Sequence, residues 1–167
     1  MKAVTSPRPS GIRTAPRKPS FVLDTSISAS WVLSAQATPY KVAVFDALES
    51  QTAIVPALWH LEMANIVCKY IKKMGISNPD SERIFTQLES LALVTDEWAQ
   101  PKAAWPAQGA IRAVATTALT HRLTSYDAQY LQLALRRKLP LATCDEALRA
   151  AAQQAGIALF QPLCQPC

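Results

Sequence analysis

The chain has 167 residues, and half of them are hydrophobic, which is enough to build one domain with a substantial core. No apolar run approaches the ~18 residues of a membrane span, and the positive start of the chain is not followed by the apolar stretch of a secretory signal. The composition therefore favours a cytoplasmic protein over a membrane protein or a secreted one.

The positive charge is concentrated at the N-terminus. The net charge is +5, and the first twenty residues carry five basic side chains and no acid, which leaves twelve basic and twelve acidic residues in the rest of the chain. The same segment is rich in proline and lacks an apolar run that could be buried. We predict a disordered basic tail over 1–19, one domain over 20–161 and a short C-terminal tail over 162–167.

Short apolar runs alternate with longer stretches of helical pattern along the domain. Because strands separated by helices are typical of a parallel sheet, we predict an α/β fold with three layers (α/β/α), in which helices cover both faces of a central parallel sheet. The runs that predict strands lie at 21–23, 53–55, 91–94, 139–142 and 157–160. The stretches that predict helices lie at 26–35, 40–50, 57–74, 79–91, 107–122, 126–138 and 146–155.

The four cysteines favour a reduced, cytosolic protein. Cys68 lies in a predicted helix, Cys144 follows a predicted strand, and Cys164 and Cys167 lie at the C-terminal end. The terminal pair has the spacing of half a zinc site, but no second pair lies at a matching spacing.

Two acidic side chains lie where helical periodicity predicts unusual burial. In the predicted helix over 57–74, Glu62 lies about 40° beyond the edge of an apolar stripe that is about 100° wide, so its carboxylate should be half-buried. In the next-to-last predicted helix, Tyr130, Leu131 and Ala134 follow Asp127 at i+3, i+4 and i+7. This spacing predicts that Asp127 lies on the inward face.

Two further acids follow predicted strands. Asp24 ends the first strand and Asp145 follows the strand at 139–142, so both should lie at the carboxyl edge of the sheet, where ligand sites form in parallel α/β proteins. Each also has a purely structural explanation, because Asp is a good helix N-cap, worth about 1 kcal/mol, and Asp127 in a first turn suits the helix dipole. Glu62 has no such explanation.

The four acids together predict a metal site. If they converge within about 5 Å, six repulsions of roughly 3 kcal/mol each would cost on the order of 20 kcal/mol at an effective dielectric of 20. A hard divalent cation such as Mg²⁺ or Mn²⁺ removes that cost. It would also activate water for attack on a phosphodiester, so we expect hydrolysis of phosphate esters.

Four segments resemble the PIN-domain family, and most closely its VapC-type toxins from bacterial toxin–antitoxin pairs. The resemblance covers residues 20–161 in the family's order and spacing, and its most specific part is the Tyr-Asp-Ala block with the helix that follows. The segments are Val-Leu-Asp-Thr-Ser at 22–26, Pro-Ala-Leu-Trp-His-Leu-Glu-Met-Ala-Asn at 56–65, Thr-Ser-Tyr-Asp-Ala-Gln-Tyr-Leu-Gln-Leu-Ala at 124–134 and Leu-Pro-Leu-Ala-Thr-Cys-Asp-Glu-Ala-Leu at 139–148.

The resemblance implies a PIN-like fold and a ribonuclease that depends on Mg²⁺ or Mn²⁺. The family's four acids match Asp24, Glu62, Asp127 and Asp145, which would hold the metal and form the catalytic site. The resemblance also implies a homodimer and a cognate antitoxin that silences the enzyme. The basic tail and the stretch at 101–109 do not match the family, and we expect the tail to attract RNA phosphates without sequence preference.

Two polar residues are candidates for a supporting role. Thr143 lies two residues before Asp145, and Asn65 lies one helical turn after Glu62, so either side chain could hydrogen-bond a carboxylate or a water at the metal. For both, an ordinary polar residue at the domain boundary is the alternative. Ser26 is interpreted as a residue that starts a helix rather than as a nucleophile, because no histidine is placed to activate it.

Other aromatic and imidazole side chains have weaker claims to function. Trp98 and Trp105 flank a polar loop and could stack on bases, although a single tryptophan in a loop more often packs against the protein. His60 and His121 are interpreted as surface or boundary residues.

Other functions fit the sequence less well. A haloacid-type phosphatase needs Asp-x-Asp after the first strand, and Ser26 occupies the second position here. A PIN-like module that binds RNA or a protein without catalysis is the main alternative, although loss of catalysis usually removes an acid. A solvated surface for the four acids is disfavoured by the inward position that we predict for Asp127.

Apolar side chains that we expect to be exposed in the first half of the chain support a dimer: Trp31, Val32, Val44 and Phe45.

Overall fold

The structure, a computed structural model, describes residues 18–33, 38–96 and 107–162. The predicted tails at 1–19 and 162–167 lie almost entirely outside these residues. Trp98 and Trp105, the terminal pair of cysteines and most of the stretch at 101–109 also lie outside them. The two cysteines that the structure describes, Cys68 and Cys144, are free thiols.

The described residues form one parallel sheet and seven helices, which confirms the predicted α/β/α fold. The strands are β1 (Phe21–Leu23), β2 (Ala53–Pro56), β3 (Leu93–Asp96) and β4 (Leu141–Ala142), in the order β3-β2-β1-β4. The helices are α1 (Thr25–Val32), α2 (Pro39–Ala47), α3 (Leu58–Met74), α4 (Asn78–Glu89), α5 (Ala107–His121), α6 (Ser125–Arg137) and α7 (Glu146–Gln154).

The core is centred on β1, whose three side chains are all buried. This strand has a neighbour on each side, β2 and β4, and helices above and below, so both of its faces must be apolar. At its start, Phe21 stacks on Phe160 with ring centroids 3.9 Å apart. From α6, the side chains of Tyr130, Leu131 and Leu133 fill the same core. The central position of β1 explains why Phe21, Val22 and Leu23 form an uninterrupted apolar run.

Because all four strands run parallel, their carboxyl ends lie at one edge of the sheet, which we call the carboxyl edge. Asp24 follows β1, Asp96 ends β3, and Thr143 follows β4 at this edge. Parallel sheets form their ligand sites in the same place.

Three of the predicted strands differ from the observed ones, and the one predicted at 139–142 is shortened to Leu141–Ala142. The run at 157–160 forms only an isolated bridge between Leu159 and Leu141, held by hydrogen bonds from Leu141 N to Ala158 O and from Phe160 N to Leu141 O, both 2.9 Å long. Its apolar side chains pack on the core without extending the ladder. The strand predicted at 91–94 begins two residues later, because Leu91 still belongs to the turn after α4.

The expectation that Val44 is exposed is wrong. Val44 is fully buried in the core, whereas Phe45, the next residue on α2, is 46% exposed. Trp31 and Val32 are partly buried, and the indole of Trp31 packs edge-on against Phe45 with ring centroids 5.2 Å apart. The first half therefore exposes less apolar surface than we expected, because α1 and α2 bury part of it against each other.

In the part of the chain that the structure describes, no helix combines the length and the hydropathy that a bilayer span requires.

Replacing Leu131 by Ala should destabilise the fold strongly, because Leu131 is fully buried on α6 between β1 and the rest of the core. We expect a loss of about 2–5 kcal/mol in the free energy of unfolding, measured by urea denaturation. The matched control is Leu119→Ala on α5, where the side chain is 82% exposed and the cost should stay below about 0.5 kcal/mol. Equal costs for the two variants would contradict this packing.

Candidate active site

Asp24 is a buried carboxylate at the carboxyl edge of the sheet. It follows β1 directly, it is the N-cap of α1, and only 5% of its surface is exposed. Its backbone is fixed by a hydrogen bond from Asp24 N to Ala142 O of 3.0 Å, which continues the pairing of β1 with β4. The position of its side chain is therefore set by the central strand.

Two hydroxyl groups, one on α1 and one directly after β4, hold the Asp24 carboxylate. Ser26 Oγ donates to Asp24 Oδ2 at 2.5 Å, and Thr143 Oγ1 donates to the same oxygen at 2.7 Å. Ser26 Oγ also accepts a hydrogen bond of 3.0 Å from Cys144 N. The expected hydrogen bond between Thr143 and a carboxylate is thus present, and Ser26 contacts the acid in addition to starting α1.

The surroundings of Asp24 disfavour its charged form. Burial raises the pKa of Asp24 above its ordinary value of 3.8, and hydrogen bonds from the Ser26 and Thr143 hydroxyls and from the Thr25 amide offset part of this effect. The negative charge of Glu62 raises the pKa further. Asp24 and Glu62 are therefore close enough for their charges to repel each other.

Glu62 lies in the first turns of α3 and is half-buried, as its place beside the apolar stripe predicts. Its Oε2 atom accepts hydrogen bonds from Thr25 Oγ1, at 2.7 Å, and from the hydroxyl of Tyr130. The Thr25 and Tyr130 oxygens are themselves 2.6 Å apart. Residues from α1, α3 and α6 thus meet at one carboxylate oxygen.

Tyr130 acts in this group as a hydrogen-bond donor. Its side chain is almost completely buried, and burial together with the hydrogen bond to Glu62 raises the pKa of its phenol far above the ordinary value. The phenol is therefore protonated at neutral pH and keeps its hydrogen to donate.

Asp145 is the N-cap of α7, and Asp127 lies in the first turn of α6, whose N-cap is Thr124. Thr124 Oγ1 accepts from Asp127 N at 3.1 Å and donates to Asp127 Oδ2 at 2.6 Å, and Asp145 Oδ1 accepts from Leu148 N at 2.8 Å. Asp127 is only partly buried, so it lies at the margin of the inward face of α6 rather than on it, and Asp145 is exposed. Both acids thus have a structural role at the start of a helix. In each carboxylate, one oxygen accepts a local hydrogen bond, and the other accepts none from the described part of the chain.

Asp145 is connected to Asp24 by hydrogen bonds, and Asp127 shares a helix with Tyr130. Asp145 N donates to Thr143 Oγ1 at 3.0 Å, and Thr143 donates in turn to Asp24. Asp127 lies one turn before Tyr130 on α6, and residues three apart share a helix face. The structure therefore links Asp24 to Glu62 through the start of α1, connects Asp145 to Asp24 through Thr143, and places Asp127 on the same helix as Tyr130.

Among the described residues, no three His, Cys, Asp or Glu side chains lie close enough together to form a ready-made metal cluster. The chemistry of the pair still fits a hard divalent cation, because its donors are carboxylate oxygens and because neither Asp24 nor Glu62 is paired with a lysine or arginine in the described part of the chain. Asn65 is exposed on α3, and its supporting role stays a prediction.

Another acid at the carboxyl edge shows how this fold neutralises a buried charge by itself. Asp96 ends β3 and is 4% exposed, much like Asp24. It pairs with Arg136 at 2.5 Å and with Arg137 at 2.6 Å. Asp24 has hydroxyl donors where Asp96 has two guanidinium groups, so within the described residues the charge of Asp24 is hydrogen-bonded but not compensated by a basic side chain.

Three residues in this network were not identified as site residues from the sequence. Thr25 and Ser26 follow Asp24 directly, and their two adjacent hydroxyls after a buried strand were the available signal. Tyr130 was interpreted as a core residue. Its position three residues after Asp127 would have placed its hydroxyl on the same helix face as that acid.

The chain belongs to the PIN-domain family, since residues 21–154 match the description "PIN domain". PIN domains are typically nucleases that use divalent metal ions. Among solved structures, the chain resembles "Crystal Structure of FitAcB from Neisseria gonorrhoeae" with a TM-score of 0.55 and 20% sequence identity, over 85% of this chain and 97% of the other. At this identity, the similarity shows a shared fold. No curated protein matches the sequence.

Replacing Asp24 by Asn should stabilise the protein in EDTA. The raised pKa of Asp24 means that the folded state binds a proton more readily than the unfolded state, so wild-type stability falls as the pH rises from 3.8 through the folded-state pKa. Asn keeps the side-chain oxygen and loses the charge. We expect a melting temperature higher by a few degrees at neutral pH, on the scale of about 2–4 °C per kcal/mol for a domain of this size.

The gain from Asp24→Asn should shrink as the pH is lowered towards 3.8, where the wild-type carboxylate becomes protonated in both states. Asp46→Asn, an exposed acid on α2, is the matched control and should show no such trend. A variant that is less stable than the wild type at neutral pH in EDTA would contradict an uncompensated charge at Asp24.

Proposed function

We propose that this protein is a metal-dependent ribonuclease that hydrolyses RNA phosphodiester bonds and acts as the toxin of a type II toxin–antitoxin pair. The observation that carries the nuclease is the pair of Asp24 and Glu62. One carboxylate is buried, the other is half-buried, their charges repel, and no basic side chain of the described residues is paired with either. Membership of a family of nucleases supports the same reading.

In this proposal, Asp24 and Glu62 are the principal ligands of Mg²⁺ or Mn²⁺, and Asp127 and Asp145 complete the site. The bound ion would supply the Lewis acidity that makes water a nucleophile at neutral pH and that stabilises charge on the phosphate. Ser26 and Thr143 orient Asp24, and Thr25 and Tyr130 orient Glu62. Asp127 uses one carboxylate oxygen to accept from Thr124, and Asp145 uses one to cap α7, so each keeps its other oxygen for a ligand or a water.

The type of partner and the location follow from the resemblance to VapC-type toxins. We propose a homodimer in the cytoplasm, whose activity a cognate antitoxin protein silences. Induction of the chain without a partner should therefore arrest growth, and the Asp24→Asn variant should relieve the arrest.

Mn²⁺ or Mg²⁺ should raise the melting temperature of the wild-type protein, because an ion that binds the native state alone stabilises it. At about 100 times its dissociation constant, the gain is about 2.7 kcal/mol, which corresponds to several degrees. Asp24→Asn and Glu62→Gln should reduce this shift. Asp46→Asn and Glu49→Gln, two exposed acids on or just after α2, should keep it. An unchanged wild-type melting temperature across millimolar Mn²⁺ would count against the site.

Cleavage of single-stranded RNA should depend on the same acids. We expect the Mn²⁺-dependent rate to fall by at least about 100-fold in Asp24→Asn and Glu62→Gln, since a loss of roughly 3 kcal/mol in transition-state stabilisation costs two factors of ten. The two control variants on or near α2 should cleave at the wild-type rate. The rates are measured with a labelled oligonucleotide at saturating Mn²⁺, and activity that survives in both site variants would refute the proposal.

A module that binds RNA or a protein without catalysis is the second candidate. The observation in its favour is that no three acids among the described residues form a cluster, while Asp145 caps α7 and Asp127 accepts a hydrogen bond from the N-cap Thr124. This candidate predicts RNA binding that is independent of Mn²⁺ and no cleavage by the wild-type chain. The cleavage experiment separates it from the nuclease.

A further inference from the structure

The hydroxyl groups of Thr25 and Tyr130 form a closed triangle with Glu62. Thr25 Oγ1 is 2.7 Å from Glu62 Oε2 and 2.6 Å from the Tyr130 oxygen, which also donates to Glu62 Oε2. The two hydroxyl hydrogens serve three oxygen–oxygen contacts, so either both hydroxyls donate to Oε2, or one donates to Oε2 and accepts from the other. We propose that Thr25 and Tyr130 are positioning residues that fix Glu62 for the divalent ion, an inference that rests on the proposed nuclease function.

The two hydroxyls leave one side of the Glu62 carboxylate open. Both contact Oε2, and Oε1 accepts no hydrogen bond from the residues that the structure describes. A carboxylate that is held by two donors at one oxygen presents the other oxygen in a fixed direction. Hydrogen bonds of this kind orient metal ligands and raise the affinity for the ion.

The triangle also joins the parts of the site that are far apart in sequence. Thr25 is the neighbour of Asp24 on α1, Glu62 lies on α3, and Tyr130 lies one turn after Asp127 on α6. The hydrogen bonds thus fix Glu62 relative to both of the segments that carry those acids. Without them, Glu62 would be a flexible side chain at the boundary of the core, with three rotatable bonds before its carboxylate.

A purely structural role for the Tyr130 hydroxyl makes a different prediction. A buried phenol needs a hydrogen-bond partner, and Glu62 could serve only to satisfy it. In that case, removal of the hydroxyl would change stability alone. If Tyr130 positions Glu62, its removal must change the binding of the ion, and the effect must be shared with Thr25.

The experiment compares Tyr130→Phe, Thr25→Val and Thr25→Ser in the full chain. The Mn²⁺ concentration that gives half of the maximal thermal shift is measured for each variant, together with kcat and KM for RNA cleavage at saturating Mn²⁺. Tyr70→Phe, on the same helix as Glu62 and two turns further along, is the matched control.

We expect Tyr130→Phe and Thr25→Val each to raise the half-maximal Mn²⁺ concentration by about 10–100-fold, with kcat lowered and KM for RNA unchanged. Thr25→Ser keeps the hydroxyl and should stay close to the wild type, as should Tyr70→Phe. Because the two hydroxyls act on one carboxylate oxygen, the double variant of Tyr130→Phe and Thr25→Val should raise the half-maximal Mn²⁺ concentration by less than the product of the two single increases.

The outcomes separate this inference from the proposed function. A wild-type response to Mn²⁺ that is unchanged in Tyr130→Phe and Thr25→Val would overturn the positioning role and leave the nuclease standing. A wild-type chain that neither responds to Mn²⁺ nor cleaves RNA would overturn both. If a variant unfolds in EDTA, its Mn²⁺ affinity is measured by titration at a lower temperature, where it is folded. An affinity equal to that of the wild type would then overturn the positioning role.

Discussion

The burial of the Asp24 carboxylate at the end of β1 is the constraint on which the rest of the site depends. The central strand places this acid where water is largely excluded, and an ionised group there is costly unless it is hydrogen-bonded and compensated. Ser26, Thr143 and the Thr25 amide provide the hydrogen bonds. No basic side chain among residues 18–33, 38–96 and 107–162 compensates the charge of Asp24, in contrast to Asp96 on the same edge, which pairs with two arginines.

The start of α1 connects the two carboxylates of the site. Thr25 and Ser26 are adjacent in sequence, and their hydroxyls contact different acids, Glu62 and Asp24. Because α1 begins immediately after β1, the geometry of the pair is tied to the most buried strand of the sheet. A site built on such rigid elements holds its ligands in place before an ion or a substrate arrives.

The fold and the site place different demands on the same polar residues. One carboxylate oxygen of Asp127 accepts from the N-cap Thr124 of α6, and one of Asp145 caps α7, so the proposed function uses the other oxygen of each. Helix starts are suitable places for such double use, since a capping acid is already oriented and its charge is stabilised by the helix dipole. The observed hydrogen bonds at the helix starts therefore occupy one oxygen of Asp127 and one of Asp145, and the other oxygen of each can still bind a ligand.

The sequence alone determined the class of fold and the candidate acids, because apolar runs, helix breaks and strand-end acids are local signals. It predicted the alternation of strands and helices along the chain and the half-buried position of Glu62. Only the tertiary structure decided that Val44 is buried, that the run at 157–160 forms a single bridge and that Asp127 lies at the margin of its helix face. The contacts of Tyr130 with Thr25 and Glu62 were equally out of reach, because they join residues 105 and 68 positions apart, and no local pattern encodes such a distance.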